Sequence, residues 1–140
     1  MIVYADASLL VPIFAADAFT VRAMVFVRGA RPTVLLSDFA AAEFASAIAR
    51  KARTGAIGAD DALGAFANFD AWAVAQAARV QVVPADISLA EGFVRRLDLN
   101  LRAPDAINIA MAMRLGADLA TFDERMAEAA RALGCGVADL

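Results

Sequence analysis

The chain has 140 residues, of which 61% are apolar, with 13 basic against 16 acidic residues, a net charge of −3 and no histidine. That length is the commonest for a single domain, so residues 1–140 are expected to form one unit with a substantial core. The lack of histidine excludes Ser-His-Asp, Cys-His and paired-histidine ribonuclease catalysis, and the lone Cys135 excludes an internal disulfide or a thiolate metal site.

Ile2–Ala5 is a short β-prone run ending at Asp6, followed by a helical stretch with Ser8 and Pro12 in its first turns. Residues 17–27 carry helical spacing in Val21, Met24 and Val25, up to a stop at Gly29. Thr33–Leu36 reads as the second strand, and Ser37 or Asp38 caps a helix running to Arg53 and ended by Gly55. Asp60 and Asp61 open the next helix, to about Ala78, with Phe66, Phe69 and Ala73 on one side; these two helices are expected to pack as a hairpin.

Val80–Val83 reads as the third strand, stopped by Pro84, and Asp86 or Ser88 starts a helix that ends near Asp98. A further helix begins at Pro104 and Asp105 and ends at Gly116. Residues 118–122 read as the fourth strand, Asp123 caps a helix to Leu133, and residues 136–139 form a last short strand. Strict alternation implies an α/β fold: three layers, α/β/α, with a mainly parallel sheet of four to five strands and helices on both faces.

No run approaches the roughly 20 apolar residues needed to span a bilayer, and no basic residue precedes the first apolar run as in an export signal. A cytoplasmic protein without membrane association is the expectation. The basic residues are almost all arginine, with Lys51 the exception, and arginine forks suit phosphate. Arg50, Lys51 and Arg53, and again Arg95, Arg96 and Arg102, read either as phosphate grips or as ordinary solvated surface.

Four acids fall near strand ends or helix starts: Asp6, Glu43, Asp105 and Asp123. Each has a local reading as a helix cap, a first-turn carboxylate or a solvent-facing residue. Together they would meet at the carboxyl edge of a parallel sheet, the edge at which such sheets bind ligands, with strands one and four as neighbours. Converging carboxylates without a nearby base call for a cation, and an oxygen-only donor set suits Mg²⁺ or Mn²⁺. The chemistry expected is hydrolysis of a phosphate ester or phosphodiester by a metal-activated water. Ser8, Asn108 and Thr121 are placed to hydrogen-bond those acids, or simply to cap and fill. No phosphate-binding glycine loop and no Asp-x-Asp phosphatase motif is present.

The segments Val3-Tyr4-Ala5-Asp6-Ala7-Ser8, Ala42-Glu43-Phe44, Leu101-Arg102-Ala103-Pro104-Asp105-Ala106 and Leu119-Ala120-Thr121-Phe122-Asp123 resemble those of the PIN-domain nucleases, and most of all VapC-type toxins of bacterial toxin–antitoxin pairs. The resemblance implies an Mg²⁺- or Mn²⁺-dependent endoribonuclease with Asp6, Glu43, Asp105 and Asp123 as metal-holding catalytic residues, assisted by Ser8 and Thr121. It also implies an antitoxin partner and a homodimer. Asn108 departs from the pattern, since many relatives carry histidine there. The competing expectation is an interaction module that keeps the fold without catalysis, using the aromatic residues Phe14, Phe19, Phe26, Phe66, Phe69 and Trp72, whose other reading is plain core.

Overall fold

The computed structural model describes residues 1–140. Strand β1 (Ile2–Ala5) leads into α1 (Ala7–Phe14), then α2 (Thr20–Val25), whose last turns widen into a π-helical stretch, Phe26–Ala30. Strand β2 (Thr33–Ser37), helices α3 (Asp38–Arg53) and α4 (Ala59–Gln76), and strand β3 (Ala77–Val80) follow. The rest is α5 (Pro84–Val94), a 3₁₀ turn at Leu97–Leu99, α6 (Ala103–Leu115), β4 (Asp118–Ala120) and α7 (Glu124–Ala132).

The four strands lie in the order β3-β2-β1-β4, all parallel. The two inner strands are covered on both faces, as parallel sheets require. Period-two alternation splits β1 between two cores: Val3 and Ala5 face Leu9, Phe44 and Phe69 of α1, α3 and α4, whereas Tyr4 faces Ile109, Met111 and Ala130 of α6 and α7. This is the expected three-layer α/β/α fold. No helix is long and apolar enough to cross a membrane. Cys135 is free and buried.

Beyond the fourth strand, which stops at Ala120 instead of Phe122, boundaries differ from expectation at three places. The third strand is Ala77–Val80, three residues before the apolar run read as a strand, because α4 passes straight into a half-exposed edge strand of weak pattern. In that later run, the Val82 N–H instead donates to Asp38 at 2.9 Å, and extended Val83 caps α5 with Pro84 in its first turn. Helix α5 therefore starts at Pro84 and ends at Val94, short of Asp98, in whose place stands the 3₁₀ turn. The expected last strand is reduced to a single parallel bridge, Leu119 to Val137.

Register places the site. Ala5 of β1 pairs with Ala120 of β4, so Asp6 and Thr121 leave the sheet side by side, and the Asp6 N–H donates to the Ala120 carbonyl at 3.3 Å. Ser37 ends β2 on the same edge and caps α3 by accepting the Ala40 N–H at 2.8 Å.

Candidate active site

Asp6 is 5% exposed, and its carboxylate accepts three hydrogen bonds at that edge. Its Oδ1 takes the Ser8 hydroxyl at 2.8 Å and the Leu9 N–H, the start of α1, at 3.2 Å, while Oδ2 takes the Thr121 hydroxyl at 3.1 Å. Ser8 and Thr121 are themselves set by backbone: Phe122 N–H donates to Ser8 at 2.7 Å and Asp123 N–H to Thr121 at 3.0 Å. Each hydroxyl thus accepts from the chain and spends its one proton on Asp6. Burial still prevails over these bonds and pushes the Asp6 carboxyl up to about 6, so its charge is stored in a place that resists it.

Glu43 is held by a second network, through Asn108. The Asn108 amide nitrogen donates to Glu43 Oε2 at 2.8 Å and to the Pro104 carbonyl at 3.2 Å, and its oxygen accepts the Tyr4 hydroxyl at 2.8 Å. Tyr4 in turn lies 2.6 Å from the Ser37 hydroxyl. Only one proton order satisfies every atom: the Asn108 oxygen can only accept, so it takes the Tyr4 proton, which leaves Ser37 to donate to Tyr4 while Asn108 donates to Glu43. Burial raises the Glu43 pKa, the Asn108 bond opposes that, and the charge of Asp105 adds to the rise. Sequence reasoning missed Tyr4, although a lone tyrosine inside an apolar parallel strand was a signal, since its hydroxyl needs a partner.

Asp105 is also buried, in the first turn of α6, and its Oδ2 accepts both the Arg102 N–H at 3.2 Å and the Arg102 guanidinium at 3.3 Å. Asp123 caps α7, accepting the Met126 N–H at 3.0 Å. All four acids line one open cavity of about 520 Å³, together with Ser8, Asn108 and, on its rim, Arg50, Lys51 and Arg102.

Two expectations need correction here. The acids do have an internal counter-charge: Arg102 bonds to Asp105 and is felt by Glu43 and Asp123, and Lys51 borders the cavity. Nor do the carboxylates form a ready-made chelate, because no three acidic side chains are close enough together to hold an ion as they stand. Mutual repulsion and the bond to Arg102 both favour that spacing. The donor set itself fits a hard cation: carboxylate and hydroxyl oxygens only, with no histidine in the chain and Cys135 away from the cavity.

The aromatic residues resolve in favour of core, with one exception. Phe14 packs edge-on against Phe44, Phe69 and Trp72 at 5.6 to 5.7 Å, Phe44 stacks on Phe69 at 4.1 Å, Phe66 meets Phe44 at 6.4 Å, and Phe26 is buried. Phe19 alone is exposed, at 40%, and it borders the cavity of the acids.

The family model described as "PIN domain" matches residues 3–132. No curated protein matches the chain. Among solved structures, the fold is similar to that of Mycobacterium tuberculosis VapC20, described as a sarcin-ricin loop cleaving toxin, with a TM-score of 0.72 and 19% identity over 91% of this chain and 94% of that one. It is similar to a chain of Rickettsia felis VapBC2, described as bound to a DNA fragment from their promoter, with a TM-score of 0.69 and 11% identity over 99% and 98%. It is also similar to PAE2754 of Pyrobaculum aerophilum, with a TM-score of 0.62 and 17% identity over 92% and 79%.

Proposed function

The chain belongs to the PIN-domain family, and from that premise we propose that it is a metal-dependent endoribonuclease, the toxin of a toxin–antitoxin pair, with residues 1–140 as one nuclease domain. The observation that carries this is the single cavity walled by Asp6, Glu43, Asp105 and Asp123, which arrive from β1, α3, α6 and the start of α7, in a chain without histidine. VapC20's description as a toxin that cleaves the sarcin-ricin loop supports RNA as the substrate class. The VapBC2 complex supports an antitoxin partner. A cytoplasmic homodimer completes the proposal.

Asp6, Glu43, Asp105 and Asp123 would hold Mg²⁺ or Mn²⁺, which when bound lowers the pKa of a water and offsets charge on the scissile phosphodiester. The chain's own residues do the rest. Ser8, Thr121 and the Leu9 N–H keep Asp6 aimed into the cavity, and Asn108, ordered by Tyr4, keeps Glu43 there. Arg50 and Lys51 sit along α3 from Glu43, about 10 Å away at 1.5 Å per residue, at a distance that suits the phosphates flanking the one attacked.

The competing proposal, an interaction module without catalysis, draws on the grip of Arg102 on Asp105. Incubating the purified chain, freed of any antitoxin, with RNA separates the two. Cleavage with Mg²⁺ or Mn²⁺ that chelator stops and Asp6→Asn abolishes supports the nuclease. RNA left intact at every metal concentration supports the module.

A further inference from the structure

We propose that Phe19 is a stacking platform that seats one unpaired base of the RNA strand beside the cavity of the acids; this rests on the nuclease proposal above and adds to it a subsite for a base. Phe19 is the one exposed aromatic ring of the chain that borders that cavity, and it stands on the ridge between it and a second cavity near Arg22 and Glu128.

The ring is held rigidly from behind. It stacks on Phe122 with centroids 4.7 Å apart and planes 24° from parallel, and the Arg22 guanidinium lies over Phe122 at 5.2 Å. Its backbone is pinned too: the Phe19 N–H donates to Asp17 at 2.8 Å, the Asp17 N–H to Thr20 at 2.9 Å, and the Thr20 hydroxyl to the Pro12 carbonyl at 2.7 Å. One face of the ring is taken by Phe122, and the 40% exposure belongs to the remainder.

A core role does not account for such a ring, since the core of this layer closes around Phe14, Phe44 and Phe69 without it. Its occupant follows from the surroundings. The same cavity carries Arg50, Lys51 and Arg102 at its rim, which match a phosphate backbone, and a fixed aromatic face next to such cations is how single strands are held without sequence preference. Phe122 immediately precedes Asp123, so the platform and one of the acids share a single turn of backbone.

The test measures binding of a fluorescein-labelled oligoribonucleotide of mixed sequence by anisotropy, in an Asp105→Asn background that prevents cleavage. Phe19→Leu is expected to weaken binding about 5- to 100-fold, the range for loss of one base–aromatic stack, and Phe19→Tyr to stay within about twofold of the parent. An abasic residue walked along the oligonucleotide is expected to lose the same factor at one position with Phe19 present, and to lose nothing further at that position with Phe19→Leu. The abasic walk on unsubstituted Phe19 stands even where Phe19→Leu fails to fold.

Cleavage of the same RNA by the full wild-type chain reports separately on the nuclease proposal. RNA that is cleaved while its binding ignores both Phe19→Leu and the abasic position overturns the platform alone. A Phe19→Leu variant that keeps RNA affinity but loses affinity for a protein partner also overturns it. A chain that neither binds nor cleaves RNA overturns both.

Discussion

Arg102 engages a single oxygen of Asp105 twice, through its backbone N–H at 3.2 Å and its guanidinium at 3.3 Å. The first bond belongs to the helix start, where the Asp105 carboxylate caps α6. The second is an ion pair with an exposed guanidinium that a divalent cation has to displace, because both want the same lone pairs. Arg102→Gln is therefore expected to tighten Mn²⁺ binding by about two- to fivefold, the modest scale of a pair with one exposed partner, read by titration calorimetry. The same variant should weaken RNA binding, since the rim loses one of its cations.

Asp6→Asn separates function from stability. The folded carboxyl titrates at about 6, above roughly 3.9 for an unfolded aspartate, so stability is fullest below the lower value and is lost as pH rises through the higher. At pH 7.5 in chelator the neutral asparagine removes that penalty, on the order of 3 kcal/mol. Thermal melting in chelator should show Asp6→Asn at least as stable as wild type at pH 7.5, with the gain gone at pH 4, while RNA cleavage with Mg²⁺ is abolished.

Tyr4→Phe tests the relay to Glu43. It leaves the buried Asn108 oxygen without its donor, at a cost of about 1 to 3 kcal/mol. Freed from Tyr4, Asn108 no longer fixes Glu43, and metal affinity should fall by about tenfold. A Tyr4→Phe protein that melts lower yet binds Mn²⁺ like wild type would confine Tyr4 to the core.

Asp86 and Arg114 form a second ion pair in which only the carboxylate is buried, away from the cavity. Asp86 is 1% exposed and takes the guanidinium at 2.6 and 2.9 Å, while Arg114 also donates to the Gln81 carbonyl at 3.0 Å. Burial alone would raise the Asp86 carboxyl, but Arg114 and the Val83 N–H outweigh it and hold it below the usual range. A lowered folded pKa means stability that is present above the unfolded value, about 3.9, and lost as pH falls below it. Arg114→Met strands the carboxylate and should destabilise by about 2 to 4 kcal/mol at pH 7, less than for a wholly buried pair because Arg114 is one-third exposed. By urea titration, the gap to wild type should shrink as pH drops under about 4, and Asp86→Leu added to Arg114→Met should recover much of it.

Features written locally in the chain were readable: Asp6 after β1, Ser37 before α3, Gly116 closing α6 in a left-handed turn, and Asp123 capping α7. Each depends on neighbours within one helical turn. Across the fold, the convergence of the acids and the bonds of Ser8, Asn108 and Thr121 to them were readable as a group, but not which acid Asn108 serves, 65 positions away, nor its link to Tyr4, 104 positions away. Arg102 was grouped by charge with Arg95 and Arg96, which pair with Glu91 and Asp98 on the surface, although its spacing to Asp105 permitted the bond now seen. The strand expected at Val80–Val83 was misplaced because edge strand β3 lacks the apolar pattern of a covered strand.

The most direct test of the central claim, that four distant acids serve one cation site, is a Mn²⁺ titration of the antitoxin-free chain by paramagnetic resonance. Bound Mn²⁺ in wild type, with affinity lost in Asp6→Asn and in Asp105→Asn while both variants melt as folded proteins, is the result predicted. Wild type that leaves all Mn²⁺ free, or variants that bind it as wild type does, would contradict the account.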